Sequence, residues 1–151
     1  MRVMNDKIKD LREDNDITQE KIAKFLNTER STYSNWENGH FDMPLDKCNE
    51  LANYYHVTID YLLGLSNNHK YVEDSKDIDW AILSERLKKE IKSKNFSQSY
   101  VGKKIGFPQV TYSNFERGFR KPTTFKLLII AQFYNVSMDY LVGRCDNYMI
   151  D

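Results

Sequence analysis

Displaced against itself by 79 residues, this chain aligns without a gap in separated blocks. Thr32-Tyr33-Ser34-Asn35-Trp36-Glu37-Asn38-Gly39 falls on Thr111-Tyr112-Ser113-Asn114-Phe115-Glu116-Arg117-Gly118. Gln19 falls on Gln98 and Ala52 on Ala131. Tyr55-His56-Val57-Thr58-Ile59-Asp60-Tyr61-Leu62-Leu63-Gly64 falls on Tyr134-Asn135-Val136-Ser137-Met138-Asp139-Tyr140-Leu141-Val142-Gly143. Such a register constrains the fold strongly, because both copies must satisfy one pattern. Two copies are too few for a solenoid. The reading is two small domains, residues 1–65 and 79–145, each near the lower size at which a domain folds alone. A polar segment, 66–78, without a sustained apolar period joins them. Fully extended at ~3.3 Å per residue, a linker of that size reaches roughly 45 Å.

With only 6 Gly and 3 Pro in 151 residues, a fold rich in tight β-turns is disfavoured, and each copy reads as about five short helices. In the first copy Asn5 is a candidate cap for a helix with Ile8 and Leu11 inward. Thr18 caps a second helix with Ile22, Ala23, Phe25 and Leu26 inward. After the turn Asn27-Thr28-Glu29 a third helix runs to Gly39, which suits a left-handed stop. A fourth spans about Leu45 to His56, with Cys48, Leu51, Ala52 and Tyr55 on one face. Thr58 caps a last short helix that Gly64 ends. The second copy repeats the plan from Asp79 or Ser84, with Ser97 and Ser137 as caps and Pro108 in the first turn of its third helix, where a missing N–H is harmless.

The second and third helices of each copy form a helix-turn-helix, a unit that sets the start of its second helix against base edges in the major groove. Thr18-Gln19-Glu20, Trp36-Glu37-Asn38-Gly39 and Val57-Thr58-Ile59-Asp60-Tyr61-Leu62-Leu63-Gly64 resemble the phage-repressor helix-turn-helix family of Cro/C1 or XRE type. Ser97-Gln98, Phe115-Glu116-Arg117-Gly118 and Val136-Ser137-Met138-Asp139-Tyr140-Leu141-Val142-Gly143 resemble a second member. The resemblance implies an all-α chain of two tandem five-helix domains. It also implies DNA-binding roles. Thr18 with Gln19 and Ser97 with Gln98 open the second helix of each unit, and the glutamine takes a phosphate or a base. Arg30 and Ser31, or Gln109 and Val110, begin the third helix and meet bases. Asn35 and Asn114 follow one turn later. Asn38 and Arg117 touch the backbone. By charge and by their place after the third helix, Arg120 and Lys121 also suit phosphates.

The chemistry of these residues fits. Arginine forks onto guanine, glutamine or asparagine onto adenine, and valine meets the thymine methyl. Tyr33, Trp36, Tyr112 and Phe115 are better read as core than as base-stacking rings, and Tyr54, Tyr55, Phe133 and Tyr134 as packing. In the family the glutamate of the Trp-Glu pair binds an arginine of the first helix. Arg12 stands there for Glu37, but Ile91 stands there for Glu116, leaving Lys92 as the substitute to examine.

The chain has 22 basic and 22 acidic residues and no net charge, which hides an asymmetry. Residues 1–68 carry 8 basic and 12 acidic groups, whereas residues 81–151 carry 12 and 6. Glu29 in the first copy also stands where phosphates approach. The first copy is therefore either a weaker DNA reader or a protein-binding module, and the alternative function is a regulator in which only the second copy binds DNA.

No nucleophile elbow, phosphate loop or metal-ligand spacing is present, so an enzyme is not expected, nor a cofactor or metal. Cys48, Cys145, His40, His56 and His69 are scattered, and both cysteines read as reduced. With neither an apolar span nor a leader at Met1-Arg2-Val3-Met4, the expected setting is cytoplasmic and nucleoid-associated, without membrane contact. Only Arg144 to Asp151 follow the second copy, so no sensor or effector domain is expected there. Double-stranded DNA is the expected partner. A homodimer and a protein partner for the first copy stay open.

Overall fold

The computed structural model describes the backbone of residues 2–151 and the side chains from Asp6 onward. The described chain is helical without strands, and it divides into two units between Lys76 and Asp77.

The first unit contains α1 (Arg2–Asp14), α2 (Gln19–Phe25), α3 (Arg30–Glu37), α4 (Leu45–Tyr55) and α5 (Ile59–Leu62). The second contains α6 (Trp80–Ser93), α7 (Gln98–Ile105), α8 (Gln109–Glu116), α9 (Thr124–Tyr134) and α10 (Met138–Leu141). Moving α3, α4 and α5 forward by 79 residues reproduces the bounds of α8, α9 and α10 residue for residue. One sequence pattern has produced one local structure twice.

Short helices need their ends satisfied, because four N–H and four C=O groups at the termini lack intrahelical partners. Thr18 Oγ1 accepts from Lys21 N–H at 3.1 Å, and Ser97 Oγ from Tyr100 N–H at 3.0 Å. Thr58 and Ser137 cap α5 and α10 in the same way, and Asp79 caps α6. At the other ends the chain leaves through left-handed residues. Gly39 and Gly118 end the stretches after α3 and α8 with φ of 77° and 75°, and His56 and Asn135 do so after α4 and α9. An asparagine tolerates this region better than most L-residues, and glycine has no Cβ to clash.

Each unit closes over its own apolar core. Ile8, Ile22, Leu26, Tyr33, Leu51 and Ile59 are almost fully buried in the first, and Leu87, Val101, Tyr112, Leu127, Met138 and Leu141 in the second. At about 1.5–3 kcal/mol for each fully buried large aliphatic side chain, these residues outweigh every cap and ion pair. Trp36 and Phe115 lie in the core, as do Cys48 and Tyr134.

Three local expectations change. The first helix starts at Arg2, so Asn5 is inside it and not at its cap. Phe25 does not point wholly inward: it is 51 % exposed and its ring leans on Tyr54 at 4.6 Å. The segment 66–78, read from sequence as a linker, is largely fastened to the first unit. Val72 N–H donates to the His56 carbonyl at 2.9 Å, and Asn49 and Asn53 both donate to the Lys76 carbonyl. An extended reach of 45 Å therefore does not describe it. The tail of the second unit is also fastened to it, by a different bond: Ser137 N–H donates to the Tyr148 carbonyl at 2.9 Å. His69 lies against Tyr61, and Tyr148 lies against Tyr140, again 79 residues apart. The repeat thus extends past Gly64 and Gly143 into both tails.

Candidate nucleic-acid interface

In the first unit α2, the turn at 26–29 and α3 make the helix-turn-helix. Leu26 N–H closes α2 onto the Ile22 carbonyl, and Asn27 turns the chain with φ 55°. Lys47 Nζ donates to the Leu26 carbonyl at 2.8 Å, a brace from α4 that no motif announced. The second unit makes the same turn through Gly106 at φ 79°. Here α7 runs very close to the turn: a Cβ on Gly102 would lie 2.8 Å from the Phe107 carbonyl.

The third helix is held from beneath differently in the two units. Arg12 forks onto buried Glu37, with Nε to Oε2 at 2.8 Å and Nη2 to Oε1 at 2.9 Å. Its Nη1 also donates to the Ile17 carbonyl, so α1, the approach to α2 and the end of α3 are joined. Burial alone would raise the Glu37 carboxyl, but the hydrogen bonds from Arg12 and Gln19 help hold it below its usual pKa. Burial, followed by the charge of Glu37, pushes the nearby Tyr33 hydroxyl far up.

In the second unit Ile91 fills the arginine's place. No cation pairs with Glu116 among the described residues, one of its oxygens is buried without a hydrogen bond, and Lys92 is exposed and does not replace the arginine. A different device appears: Tyr112 and Tyr134 join hydroxyl to hydroxyl at 2.6 Å beside Glu116. Burial pushes Tyr134 up to about 12. A second buried pair, Arg144 with Asp139 at 2.9 Å, ties the tail to α10.

The residues expected to meet DNA fall into two groups. In the second unit Gln109 and Val110 are exposed at the first turn of α8, and Val110 is 64 % exposed. Asn114 is half-buried one turn on, and Arg117, Arg120 and Lys121 are exposed beyond the helix. None of these three cations is paired with a carboxylate among the described residues. Gln98 is half-buried and makes no side-chain hydrogen bond among the described residues, while Ser97 is used as a cap. In the first unit several equivalents are engaged. Gln19 Nε2 donates to Glu37 Oε1 at 3.3 Å. Asn38 donates to Ser34 Oγ at 3.1 Å, and Asn35 Oδ1 lies 3.3 Å from His40 Nδ1. Thr18 is used as a cap, and Arg30 and Ser31 are exposed. Exposed Glu29 sits at the start of α3 and makes no capping hydrogen bond, where the second unit has Pro108.

Sequence reasoning missed Phe119. It is 66 % exposed, just past α8, with the Arg117 guanidinium over its ring at 4.3 Å. An aromatic between two basic residues was the available signal.

Fold and site together define a protein of two helix-turn-helix units in tandem. The profile described as "Helix-turn-helix" matches residues 8–62 and again residues 87–141. The chain belongs to this helix-turn-helix family, in its Cro/C1 (XRE) type. It is similar to the HTH-type transcriptional regulator ImmR of Bacillus subtilis (strain 168), 37 % identical over 62 residues, covering 41 % of this chain and 49 % of that protein. It is also similar to the HTH-type transcriptional regulator AnsR of the same strain, 33 % identical over 60 residues, covering 40 % of this chain and 52 % of that one. The matched region thus spans about half the length of each of these relatives. No solved structure matches the chain. No helix among the described residues is long and apolar enough to cross a membrane.

Proposed function

We propose that this chain is a DNA-binding transcription regulator, not an enzyme, and that it reads the major groove of double-stranded DNA with α8 as its principal reading helix. One observation carries the reading. Gln109 and exposed Val110 open α8, and three exposed cations with no carboxylate partner among the described residues, Arg117, Arg120 and Lys121, follow its end. Base-reading groups at a helix start with phosphate-binding groups beside it are the two classes of contact that sequence-specific binding needs. The names of the Bacillus regulators similar to the chain support it.

The first domain reads DNA through Arg30, Ser31 and Asn35 with lower affinity, and the second supplies most of the binding. Repression by occluding polymerase is the simplest mechanism, acting at the nucleoid in the cytoplasm. A homodimer would double the contacts.

A second reading is favoured by Glu29. Its uncapped carboxylate at the start of α3 repels phosphate, and Gln19 and Asn38 are already hydrogen-bonded. The first domain would then bind a protein. Footprinting on DNA flanking the chain's own gene separates the two. Protection of two adjacent major grooves, whose centres lie ~34 Å apart, supports reading by both domains. Protection of one groove supports the protein-binding role, and no protection at any concentration contradicts DNA reading altogether.

A further inference from the structure

The stretch following α8 holds two of its three cations on aromatic faces. Arg117 lies over Phe119 at 4.3 Å, and Lys121 Nζ lies over the Trp80 ring at 4.7 Å. The backbone beneath is fixed: Phe119 N–H and Arg120 N–H both donate to the Asn114 carbonyl, at 2.9 and 3.2 Å. Asn114 thereby links the middle of the reading helix to the cationic stretch. Phe119 is 66 % exposed, so the core has little use for it. The first unit shares this backbone turn, with His40 N–H and Phe41 N–H donating to the Asn35 carbonyl at 2.9 and 3.3 Å, but at these positions it has no cation over a ring. At the places of Arg117 and Phe119 it has Asn38, bonded to Ser34, and His40, bonded to Asn35.

We propose that Phe119 is a positioning residue for DNA binding, its ring acting as a platform that holds the Arg117 guanidinium for a DNA phosphate. The inference rests on the reading of α8 as the DNA-contacting helix. A guanidinium stacked by its face keeps its in-plane N–H donors open and its charge intact. A carboxylate partner would hold the arginine equally well but would have to be displaced by the phosphate. Holding the side chain beforehand lowers the ordering cost on contact. Phenylalanine carries no charge, so the platform strengthens binding without adding an ionic contact.

The test uses the full chain and a duplex selected by it from a random library. Affinity is measured by fluorescence anisotropy across a salt series, with thermal melts confirming that each variant is folded. A cation–π contact at an exposed site corresponds to about two- to five-fold in affinity. Phe119→Leu is expected to weaken binding by that factor with an unchanged slope of log K against log salt, and Phe119→Tyr to bind like wild type. Arg117→Ala is expected to reduce the slope by about 1. Adding Phe119→Leu to Arg117→Ala is expected to cost nothing more. The platform is overturned if Phe119→Leu binds like wild type, if its loss persists in the Arg117→Ala background, or if Arg117→Ala leaves the slope unchanged. Gln109→Ala with Asn114→Ala serves as the control. If that pair has no effect either, the reading of α8 falls and takes the platform with it. If the pair weakens binding while Phe119→Leu does not, only the platform falls.

Discussion

Arg12 and Ile91 stand at the same place in the two repeats, and among the described residues only the first gives its buried glutamate an arginine partner. The Glu37 side chain is 1 % exposed and that of Arg12 is 13 % exposed. Removing one member of such a pair leaves a buried charge, at a cost of about 3–5 kcal/mol. Arg12→Ala is therefore expected to destabilise the first domain by about that amount, read from denaturant unfolding followed by Trp36 fluorescence in a Trp80→Phe background. The same contact predicts acid sensitivity. The Glu37 pKa is lower folded than unfolded, so its contribution is present above its ordinary value near 4.5 and is lost as pH falls through the folded value. Melting temperatures of the first domain should drop over that acidic interval, and Glu37→Gln should remove this part of the drop.

At the scale of elements the caps can be tested one by one. Thr18→Ala and Ser97→Ala each remove a side-chain acceptor at the start of a short helix, at a cost of about 1 kcal/mol. Thermal melts should show similar small losses for both, since the two caps share one geometry. This is also the scale at which the sequence was most readable. Apolar spacing, Ser or Thr caps and glycine stops were enough to locate the helices after the first, and the 79-residue register gave each of them twice. The failures have physical causes. Asn5 has the chemistry of a cap, but the helix continues ahead of it to Arg2. Phe25 has the periodicity of a core residue, but it sits at the end of a seven-residue helix, where the core runs out against Tyr54. Residues 69–76 have no apolar period because backbone and asparagine hydrogen bonds hold them, and such bonds leave no hydrophobic pattern. The residues expected to meet DNA could be assigned from the sequence only as positions in a motif. Whether each was free was not legible there, since the bonds of Gln19 to Glu37 and Asn38 to Ser34 depend on tertiary placement and rotamers.

For the whole molecule, the zero net charge is a poor guide, because an acidic first half and a basic second half cancel. The same division appears around the third helix of each unit. Glu29, engaged Gln19 and engaged Asn38 surround α3, whereas Gln109, Val110 and the exposed Arg117, Arg120 and Lys121, none with a carboxylate partner among the described residues, surround α8. Neutralising phosphates releases counterions, so binding should weaken steeply with salt, and most of the slope should come from the second domain. Arg120→Ala with Lys121→Ala is expected to lower the slope of log K against log salt by about 2. The two domains should therefore read DNA unequally. The most direct measurement of this inequality is a mobility shift on a duplex selected by the wild-type chain, comparing Gln109→Ala/Asn114→Ala with Arg30→Ala/Asn35→Ala. At about 1–3 kcal/mol for each base contact, the first pair should lose binding by a factor on the order of 100 and lose sequence preference, with the second pair clearly less affected. Wild-type affinity and selectivity in Gln109→Ala/Asn114→Ala would contradict the account.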